Sequence, residues 1–469
     1  MLDSYRTMNP IIMKFGGTSV EGATAFQTAA RIVAEQKEQR PVVVVSAMAG
    51  FTDALLSSVK ETAETGVVDS LATLEKHFDR HVRVIETLLT DEAPRLLELV
   101  QKSRNEIQEQ LNFLAGDASH KKAVADAVAS NGERLSATLL AAVLNENSFA
   151  AQDVDSRECL VTDNNHGCAA PLMDQTISKT RDRLQPLIER ELIPVLGGFI
   201  GATTEGVTTT LGRGGSDYSA AIFGAALEAK EIQIWTDVPG VLTADPRLVA
   251  HAHTIPQLSF EEAAELAYFG AKVLHPKTLQ PAIERNIPVR ICNSRNQRGG
   301  STLVVETTEK SLQTVKAIAH KTGVTTVQIT AARMLGAYGF LRSLFEVFDR
   351  HKTAVDVVTT SEVSVSLSLD DTTNIDAIVS DLQELGSVSV EEGRAILCVV
   401  GEGLRSTPGI AGRIFSTISN INVSLISQGA SRINLTFAVE ESRAREAVQL
   451  LHREFFEEKS EFRSHATKN

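Results

Sequence analysis

The chain has 469 residues, 43% of them hydrophobic and 22% charged, a composition typical of a globular protein with roughly three folded units. Its formal net charge of −13 disfavours a general nucleic-acid binder or a protein that binds anionic membranes. The four cysteines show no CxxC pair or other paired spacing, which argues against a zinc site or a disulfide framework and favours a reducing, cytoplasmic setting. The N-terminus is too polar for a signal peptide, and the longest apolar runs are too short or too rich in glycine to span a membrane.

Strand and helix patterns alternate from residue 10 to about residue 298. Short, β-branched apolar runs predict buried strands at IIMKF, PVVVVSAM, IPVLGGFIG, EIQIWT and IPVRICN. Longer helical patterns separate them, including GATAFQTAARIVAEQ and EEAAELAYFGAKVL. The alternation predicts an α/β layered domain with a mostly parallel sheet over residues 10–298.

A glycine pair follows the first predicted strand, in the segment KFGGTS at residues 14–19. Gly16 and Gly17 allow the backbone to approach a polyphosphate with its N–H groups, and the following helix adds the positive end of its dipole. Lys14 can offset charge on a phosphoryl group in transfer. The segment is not a GxxxxGK[ST] loop, which disfavours a Walker-type NTPase. The alternative is an ordinary strand–turn–helix corner with a solvated Lys14.

A second glycine-rich turn, LGRGGSDY at residues 211–218, precedes a helical pattern. Arg213 can hold a carboxylate with two parallel hydrogen bonds. Asp217 can bind a substrate ammonium group, or it can serve as the N-cap of the helix. The turn therefore predicts a site for a small zwitterionic substrate.

A third group of polar residues follows the predicted strand EIQIW, in WTDVPG and TADPR. Ligands of α/β sheets usually lie at the carboxyl ends of strands. Thr236, Asp237 and Arg247 could therefore hold a nucleotide and its metal, although both segments are also ordinary turns.

Four further polar residues are uninformative alone. Ser46 ends a predicted strand, where a substrate contact is favourable. Glu133 lies early in a helix, where it can simply compensate the dipole. Thr52 has no local interpretation, and Lys272 is most simply a solvated helix lysine. His77 and His81 have the i, i+4 spacing of metal ligands, but no third ligand is nearby, so we predict no protein metal site there.

The order of predicted strands and helices changes after the polar segment 294–314, and an internal repeat follows. Residues 322–392 show the order βαββαβ, and residues 393–465 show βαββα, one strand short. The spare strand at residues 315–321 can complete the second unit, so we expect the first to be inserted within it. Both would be ferredoxin-like α+β units of a regulatory region at 299–469.

Together these segments resemble the aspartokinases of the amino-acid kinase family, and the repeats resemble a tandem pair of ACT domains. KFGGTSV, VVVSAMAGFT, SNGERLSA, TTTLGRGGSDYSA, WTDVPG, TADPR and FGAKVLHP occur in the family's order. The match spans essentially the whole chain and is most similar to the monofunctional, lysine-sensitive type.

The resemblance implies an enzyme that uses ATP, with Mg²⁺ carried by the nucleotide, to convert L-aspartate into 4-phospho-L-aspartate. That reaction is the first step of lysine, threonine and methionine biosynthesis. The residues expected to bind the nucleotide are Lys14, Phe15, Gly16, Gly17, Thr236, Asp237, Leu242, Arg247, Lys272 and Val273. The residues expected to bind aspartate are Ser46, Thr52, Glu133, Arg213, Gly215, Ser216 and Asp217. Catalysis is assigned to Lys14, Arg213 and Asp217. Leu242 departs from the family, which often has tyrosine there, so an aromatic or hydroxyl contact to the nucleotide is in doubt.

Comparison of the two repeats places Asp356 opposite Ser424, so a carboxylate stands in the first repeat alone. Asp356 could bind the α-ammonium group of an effector, and Glu362 could bind a second ammonium group. The turn before the helix at Phe340 could take the α-carboxylate on backbone N–H groups. We therefore expect inhibition by L-lysine, with threonine as the alternative effector and solvated surface acids as the alternative explanation. The expected effector residues are Met334, Ala337, Phe340, Leu341, Val355, Asp356, Ser361 and Glu362; Ala337 stands where the lysine-sensitive type can have serine.

Rival functions stay open at the level of the sequence. Another amino-acid kinase could act on glutamate, carbamate or a nucleoside monophosphate such as UMP. A catalytically inactive sensor could keep the fold, although intact Lys14, Arg213 and Asp217 argue against it. We expect no fused homoserine dehydrogenase. We expect a homodimer formed through the ACT-like units, with a tetramer as the alternative, and no nucleic-acid or membrane partner.

Overall fold

The computed structural model describes residues 9–270, 276–308 and 314–457, which form two compact units. The described part of the first unit comprises 9–241, Pro256–Phe260 and 276–307. That of the second comprises Leu242–Ile255, 261–270, Thr308 and 314–457. Each unit thus contains segments that are distant in the sequence.

Ten strands and ten helices precede residue 308 in the described part of the chain. The strands are β1 (Ile11–Phe15), β2 (Pro41–Val45), β3 (Ala151–Val154), β4 (Ile193–Gly197), β5 (Ile200–Ala202), β6 (Thr208–Thr210), β7 (Glu231–Thr236), β8 (Gln257–Ser259), β9 (Val289–Asn293) and β10 (Ser301–Val305). The helices are α1 (Ala23–Glu35), α2 (Phe51–Thr65), α3 (Val67–Ala72), α4 (Glu75–Leu88), α5 (Ala93–Gly116), α6 (Lys121–Glu146), α7 (Met173–Glu189), α8 (Gly215–Leu227), α9 (Phe260–Tyr268) and α10 (Pro276–Glu284).

The first unit is built on an eight-stranded sheet with the order β3-β4-β2-β1-β7-β9-β10-β8. Its neighbouring strands pair in parallel, except that β9 and β10 are antiparallel. Strands β5 and β6 form a separate antiparallel hairpin. The predicted α/β fold with a mostly parallel sheet is confirmed.

The central strand β1 is buried on both faces, as the unbroken apolar run IIMKF predicts. Ile11, Met13 and Phe15 belong to a core that also contains residues of α1, α2, α4, α5 and α6. Because successive side chains of a strand point to opposite faces, Ile12 and Lys14 face the other side. Helix α8 packs there, since a Cβ atom added to its Gly224 would lie 3.6 Å from Cγ1 of Ile12.

Six strands and four helices make up the C-terminal part of the second unit, within the described residues. The strands are β11 (Ala317–Thr330), β12 (Val358–Thr360), β13 (Ser364–Leu369), β14 (Ser387–Val400), β15 (Val423–Gln428) and β16 (Asn434–Glu440). The helices are α11 (Phe340–Arg350), α12 (Ile375–Gln383), α13 (Ile410–Thr417) and α14 (Glu441–His452).

These strands form one antiparallel sheet with the order β12-β13-β11-β14-β16-β15. The long strands β11 and β14 each serve two halves, because Ala317–Lys321 pairs with 396–400 and Thr326–Thr330 pairs with 387–391. One half adds β12, β13, α11 and α12, and the other adds β15, β16, α13 and α14. Each half has four strands and two helices around its own core, so the two predicted ferredoxin-like units are confirmed.

None of the helices described here combines the length and the apolar character that a membrane crossing requires.

Candidate active site

The ammonium group of Lys14 lies at the carboxyl end of the central strand, on the side of helix α8. The register of β1 places it there, and its Nζ is 2.6 Å from Oδ1 of Asp217. The two side chains are only 10% and 17% exposed. A mostly buried ion pair of this kind fixes both groups at the point where the strand opens into a loop.

The loop after β1 is held against two neighbouring strands. The Gly16 N–H donates to the Trp235 carbonyl at 2.9 Å, which extends the β1–β7 ladder. The Gly16 N–H is therefore not directed at a ligand, contrary to the prediction that both glycine amides point at a polyphosphate. Gly17 is required for close packing, because a Cβ atom there would lie 2.8 Å from the carbonyl oxygen of Ala47.

The turn that carries Arg213 is shaped by two glycines in left-handed conformations, Gly212 at φ 78° and Gly214 at φ 75°. Gly214 is the N-cap of α8, so Asp217 lies within the first helical turn and is not the cap. An acidic group in this turn is favourable for the helix dipole, and the side chain also reaches Lys14. Arg213 itself is exposed at the turn.

Glu133 is a fully buried carboxyl group on helix α6. The Thr52 hydroxyl donates to its Oε1 at 3.4 Å, whereas its Oε2 has no hydrogen-bond partner among the described residues. Burial raises the pKa of Glu133 to about 8, against smaller opposing effects of hydrogen bonds from the Ala47 backbone and Thr52. A buried acid with an unsatisfied oxygen can bind a positive ligand group, which favours its ionised form.

These elements enclose a cleft with a volume of about 1020 Å³. The structure brings the following predicted residues together in its lining: Lys14, Gly17, Ser46, Thr52, Glu133, Arg213, Gly215, Ser216 and Asp217. They come from the ends of β1 and β2, from α2 and α6, and from the start of α8. The individual contacts of these residues to ligands stay predictions.

The other predicted nucleotide residues do not line this cleft. Phe15 is fully buried beneath it and stacks on Trp235, with ring centroids 6.1 Å apart. Thr236 and Asp237 lie at the end of β7, the strand beside β1, so they share its carboxyl edge. Leu242 and Arg247 belong to the second unit, where Arg247 pairs with Asp245 at 2.6 Å. Lys272 and Val273 lie outside the described residues.

Sequence reasoning missed several residues in the cleft wall, namely Lys122, Asp126, Asn165, His166, Cys168 and Phe199. Asp126 is 2% exposed and lies seven residues before Glu133, on the same face of α6. A lone acid within the apolar stretch AVADAVAS was the available signal. His166 and Cys168 lie in a loop without any recognisable motif.

The predicted effector residues lie in three segments of the first ferredoxin-like half. Met334, Phe340 and Val355 pack against its core, and the Ala331 N–H donates to the Val363 carbonyl at 2.8 Å. Ala337 is in the turn before α11, and Leu341 is in the first turn of that helix. Asp356 precedes β12, and Ser361 and Glu362 are in the turn after it. The Ala331–Val363 bond brings the start of the first segment beside the third.

Asp356 has internal partners, whereas the sequence suggested a carboxylate awaiting a ligand. Its carboxylate accepts a hydrogen bond from the Tyr268 hydroxyl and lies 3.6 Å from Lys321 Nζ. Burial raises the pKa of Asp356. Glu362 is exposed in the turn between β12 and β13.

Comparison with known proteins gives one consistent result. The amino acid kinase family matches residues 9–293, and an ACT domain matches residues 397–455. The chain is 37% identical to lysine-sensitive aspartokinase 3 of Escherichia coli strain K12, over 95% of this chain and 99% of that protein. It is 36% identical to the chloroplastic aspartokinase 1 of Arabidopsis thaliana, over 95% of this chain and 80% of that protein.

Two solved structures of E. coli aspartokinase III are similar to the whole chain. The complex with aspartate and ADP, in the R-state, has a TM-score of 0.80 at 36% identity, covering 96% of this chain and 100% of the other. The complex with lysine and aspartate, in the T-state, has a TM-score of 0.80 at 37% identity with the same coverage.

Proposed function

The chain belongs to the aspartokinase branch of the amino acid kinase family, and from that premise we propose that it transfers the γ-phosphoryl group of ATP to the side-chain carboxylate of L-aspartate. The product is the acyl phosphate 4-phospho-L-aspartate. The resemblance found in the sequence motifs is confirmed by relatives that match along nearly the whole chain. The relative from E. coli has been solved with aspartate and ADP, the substrate and the nucleotide product of this reaction.

The observation that carries the proposal is the position of Lys14. It is a mostly buried ammonium group that lines the cleft and is held by Asp217 at 2.6 Å. We assign the transferred phosphoryl group to Lys14 and the loop at Gly17. An ammonium group fixed before the substrates bind can stabilise charge on that group without reorganising.

The reaction requires no general base. A carboxylate with an ordinary pKa near 4 is already ionised at neutral pH and can attack phosphorus directly. The protein must instead align two anionic reactants and offset their repulsion. Lys14, the exposed guanidinium of Arg213 and the N-terminus of α8 would supply positive charge at this end of the cleft.

Glu133 is the residue that we assign to the α-ammonium group of aspartate. Its Oε2 is buried and has no hydrogen-bond partner in the part of the chain that the structure describes, so binding a cation there would remove a desolvation cost. Thr52 holds the other oxygen of the same carboxyl group. Arg213 would take a substrate carboxylate, with Ser46, Gly215, Ser216 and Asp217 nearby in the wall.

The nucleotide would extend from Lys14 towards the ends of the adjacent strands, where we assign Thr236 and Asp237. Arg247, Leu242, Lys272 and Val273 are retained as predicted nucleotide contacts on the resemblance alone. Mg²⁺, when bound, would neutralise phosphate charge. The described residues contain no group of three His, Cys, Asp or Glu that could hold a metal ion.

The same family membership supports feedback inhibition by L-lysine. A relative at 37% identity is named lysine-sensitive, and its structure has been solved with lysine. We assign the effector to the first ferredoxin-like half, at Asp356 and the turn before α11. The acidic chain and its reduced cysteines are consistent with a cytoplasmic enzyme.

A coupled assay of ADP release tests the substrate. Aspartate should support turnover, whereas glutamate, carbamate and UMP should give rates near background. The reason is that Glu133 and Arg213 are expected to fit a zwitterion with the side-chain length of aspartate. A higher kcat/KM for any of the three rival substrates would overturn the assignment. No substrate-dependent ADP release from folded protein would instead indicate an inactive sensor.

A further inference from the structure

Asp126 joins two loops of the substrate cleft that are distant in the sequence. Its carboxylate is 2% exposed and accepts hydrogen bonds from the Thr210 hydroxyl at 2.5 Å and from His166 Nδ1 at 2.7 Å. The Gly167 N–H lies 3.1 Å from each of its oxygens. Hydrogen bonds to an ionised acceptor are stronger than neutral ones, and these come from both loops at once.

The two loops also contact each other near the residues that precede Arg213 in the chain. The Ala169 N–H donates to the Thr210 carbonyl at 2.9 Å. Gly212 is so close to the 164–168 loop that a Cβ atom there would lie 3.1 Å from the Gly167 carbonyl oxygen. Thr210 ends β6 only three residues before Arg213. The hydrogen bond from Thr210 to Asp126 therefore supports the backbone segment that carries the Arg213 guanidinium.

We propose that Asp126 is a positioning residue for Arg213 and thereby sets the affinity of the enzyme for aspartate. Asp126 acts through Thr210 and the 164–168 loop, because both of its carboxylate oxygens already accept hydrogen bonds from them. The inference rests on the proposed function, since it assumes that Arg213 holds a carboxylate of aspartate. Loosening this support leaves Lys14 and the phosphate end of the cleft in place, so the effect is confined to the amino-acid substrate.

Two variants with a matched control test the proposal. Asp126→Asn and Thr210→Val weaken the cluster, and each should raise KM for aspartate about tenfold, because a hydrogen bond to a charged group is lost. KM for ATP should change less than about twofold by the same arithmetic. Thr209→Val is the control, because the Thr209 hydroxyl is equally buried but bonds to Thr162 at 2.6 Å and not to Asp126.

Cys168 provides a second readout, which reports whether the 164–168 loop is loosened. It is the exposed cysteine of the 164–168 loop, whereas Cys159, Cys292 and Cys398 are buried. Its rate of reaction with DTNB should rise in Asp126→Asn and Thr210→Val, and should match wild type in Thr209→Val. If Asp126→Asn does not fold, Thr210→Val decides.

The proposal is overturned if both cluster variants keep the wild-type KM for aspartate, whatever their DTNB rates and thermal stability. A wild-type enzyme that does not phosphorylate aspartate would instead refute the proposed function itself, and the DTNB rates would still report on the loop.

A separate observation concerns the effector site. Lys321 Nζ lies 3.6 Å from Asp356 Oδ2, contacts Asp370, and is 4.9 Å from the centroid of the Tyr268 ring. The Asp356 side chain is only 5% exposed and Lys321 is 26% exposed. An ammonium group of the protein therefore already lies where the proposed function places an ammonium group of the effector.

We infer that Lys321 competes with the effector for Asp356 and so sets the lysine concentration that inhibits the enzyme. Without Lys321, two carboxylates at Asp356 and Asp370 would attract an ammonium ligand more strongly. The inference depends on the proposed effector site but uses none of the contacts at Asp126.

Calorimetric titration with L-lysine tests this competition. Lys321→Met should lower the Kd for lysine about twofold to fivefold, in the range expected for a partly exposed ion pair, while the charge-preserving Lys321→Arg should stay near wild type. An unchanged or weaker affinity in Lys321→Met would overturn the inference. If wild type does not bind lysine, or if Asp356→Ala binds it equally well, the proposed effector site fails instead.

Discussion

At the scale of single residues, Glu133 has the most specific chemical consequence. It is fully buried, one of its oxygens has no partner among the described residues, and its pKa is raised to about 8. In the empty enzyme at pH 7 it is therefore mainly protonated. An ammonium group placed beside it favours the ionised form, because an opposite charge lowers the pKa of an acid.

Binding of aspartate should therefore release about one proton per site at pH 7. Titration calorimetry in buffers of different ionisation enthalpy measures that number directly. Affinity for aspartate should rise as pH increases from 6 to 8, since the binding-competent carboxylate becomes more populated. Glu133→Gln should abolish the proton release and raise KM for aspartate. Proton release that persists in this variant would contradict the assignment.

Lys14 is the residue whose loss should affect turnover most. Lys14→Ala should reduce kcat by orders of magnitude while the fold persists, because the group is assigned to charge in the transition state. Lys122→Ala is the matched control, since that lysine also lines the cleft but is exposed. A kcat within about threefold of wild type for Lys14→Ala would be too small a change for the proposed role.

At the scale of secondary structure, the apolar runs of the sequence predicted the central strands well. EIQIWT is strand β7 residue for residue, and IIMKF is β1. A strand that is buried on both faces is apolar along most of its length, so its local composition is sufficient to predict it. Strand β10 lies in a segment that is polar overall, and its residues alternate between partly buried and buried. Its place in the sheet depends on antiparallel pairing with β9, which its own sequence does not indicate.

The candidate site likewise contains residues that the local sequence predicts and contacts that it does not. Lys14, Arg213 and Asp217 stand beside glycines whose spacing marks a ligand-binding turn. The contact of Asp126 with Thr210 and that of Asp356 with Tyr268 could not be predicted, because each joins segments more than 80 residues apart. Such pairs become visible only when the topology has brought the segments together.

Helices α2 and α4 contain a pH-sensitive contact. His81 is fully buried and packs on Phe51, with ring centroids 5.0 Å apart. Burial lowers its pKa to about 4 from the usual 6.5, so the folded state requires the neutral ring. This contribution to stability is complete above pH 6.5 and is lost as the pH falls towards 4.

We therefore expect the free energy of unfolding to decrease between pH 7.5 and pH 5, with about 3 kcal/mol attributable to His81 when the pH reaches 4. Urea unfolding at each pH measures it. His81→Gln should flatten the dependence, and His120→Gln, at an exposed histidine, should leave it intact. Equal slopes in wild type and His81→Gln would show that His81 is not responsible.

At the scale of the whole molecule, the two compact units are interleaved along the chain. Leu242–Ile255 and residues 261–270 belong to the second unit, where Thr243 bonds to His452 at 2.9 Å and Glu262 pairs with Lys316 at 2.8 Å. A chain truncated near residue 300 would retain these segments without their partners. Assembly is therefore best tested on the full chain.

The second unit exposes apolar side chains that we assign to an interface between two copies. Leu341 and Phe345 lie one turn apart on α11, Tyr338 precedes them, and each is exposed by 39% or more. Light scattering should give at least a dimer, twice 50.6 kDa. Phe345→Glu should shift it towards monomer, whereas Phe113→Glu, at an exposed phenylalanine of the first unit, should not. A monomeric wild type at micromolar concentration would refute the homodimer.

The chemistry of the product offers the most direct test of the central claim. An acyl phosphate is trapped by hydroxylamine as a hydroxamate, whereas an ordinary phosphate ester is not. The full-length enzyme, incubated with ATP, Mg²⁺, aspartate and hydroxylamine, should form aspartyl hydroxamate in step with ADP, and L-lysine should suppress both. ADP release without hydroxamate, or hydroxamate formation with glutamate in preference to aspartate, would contradict the account.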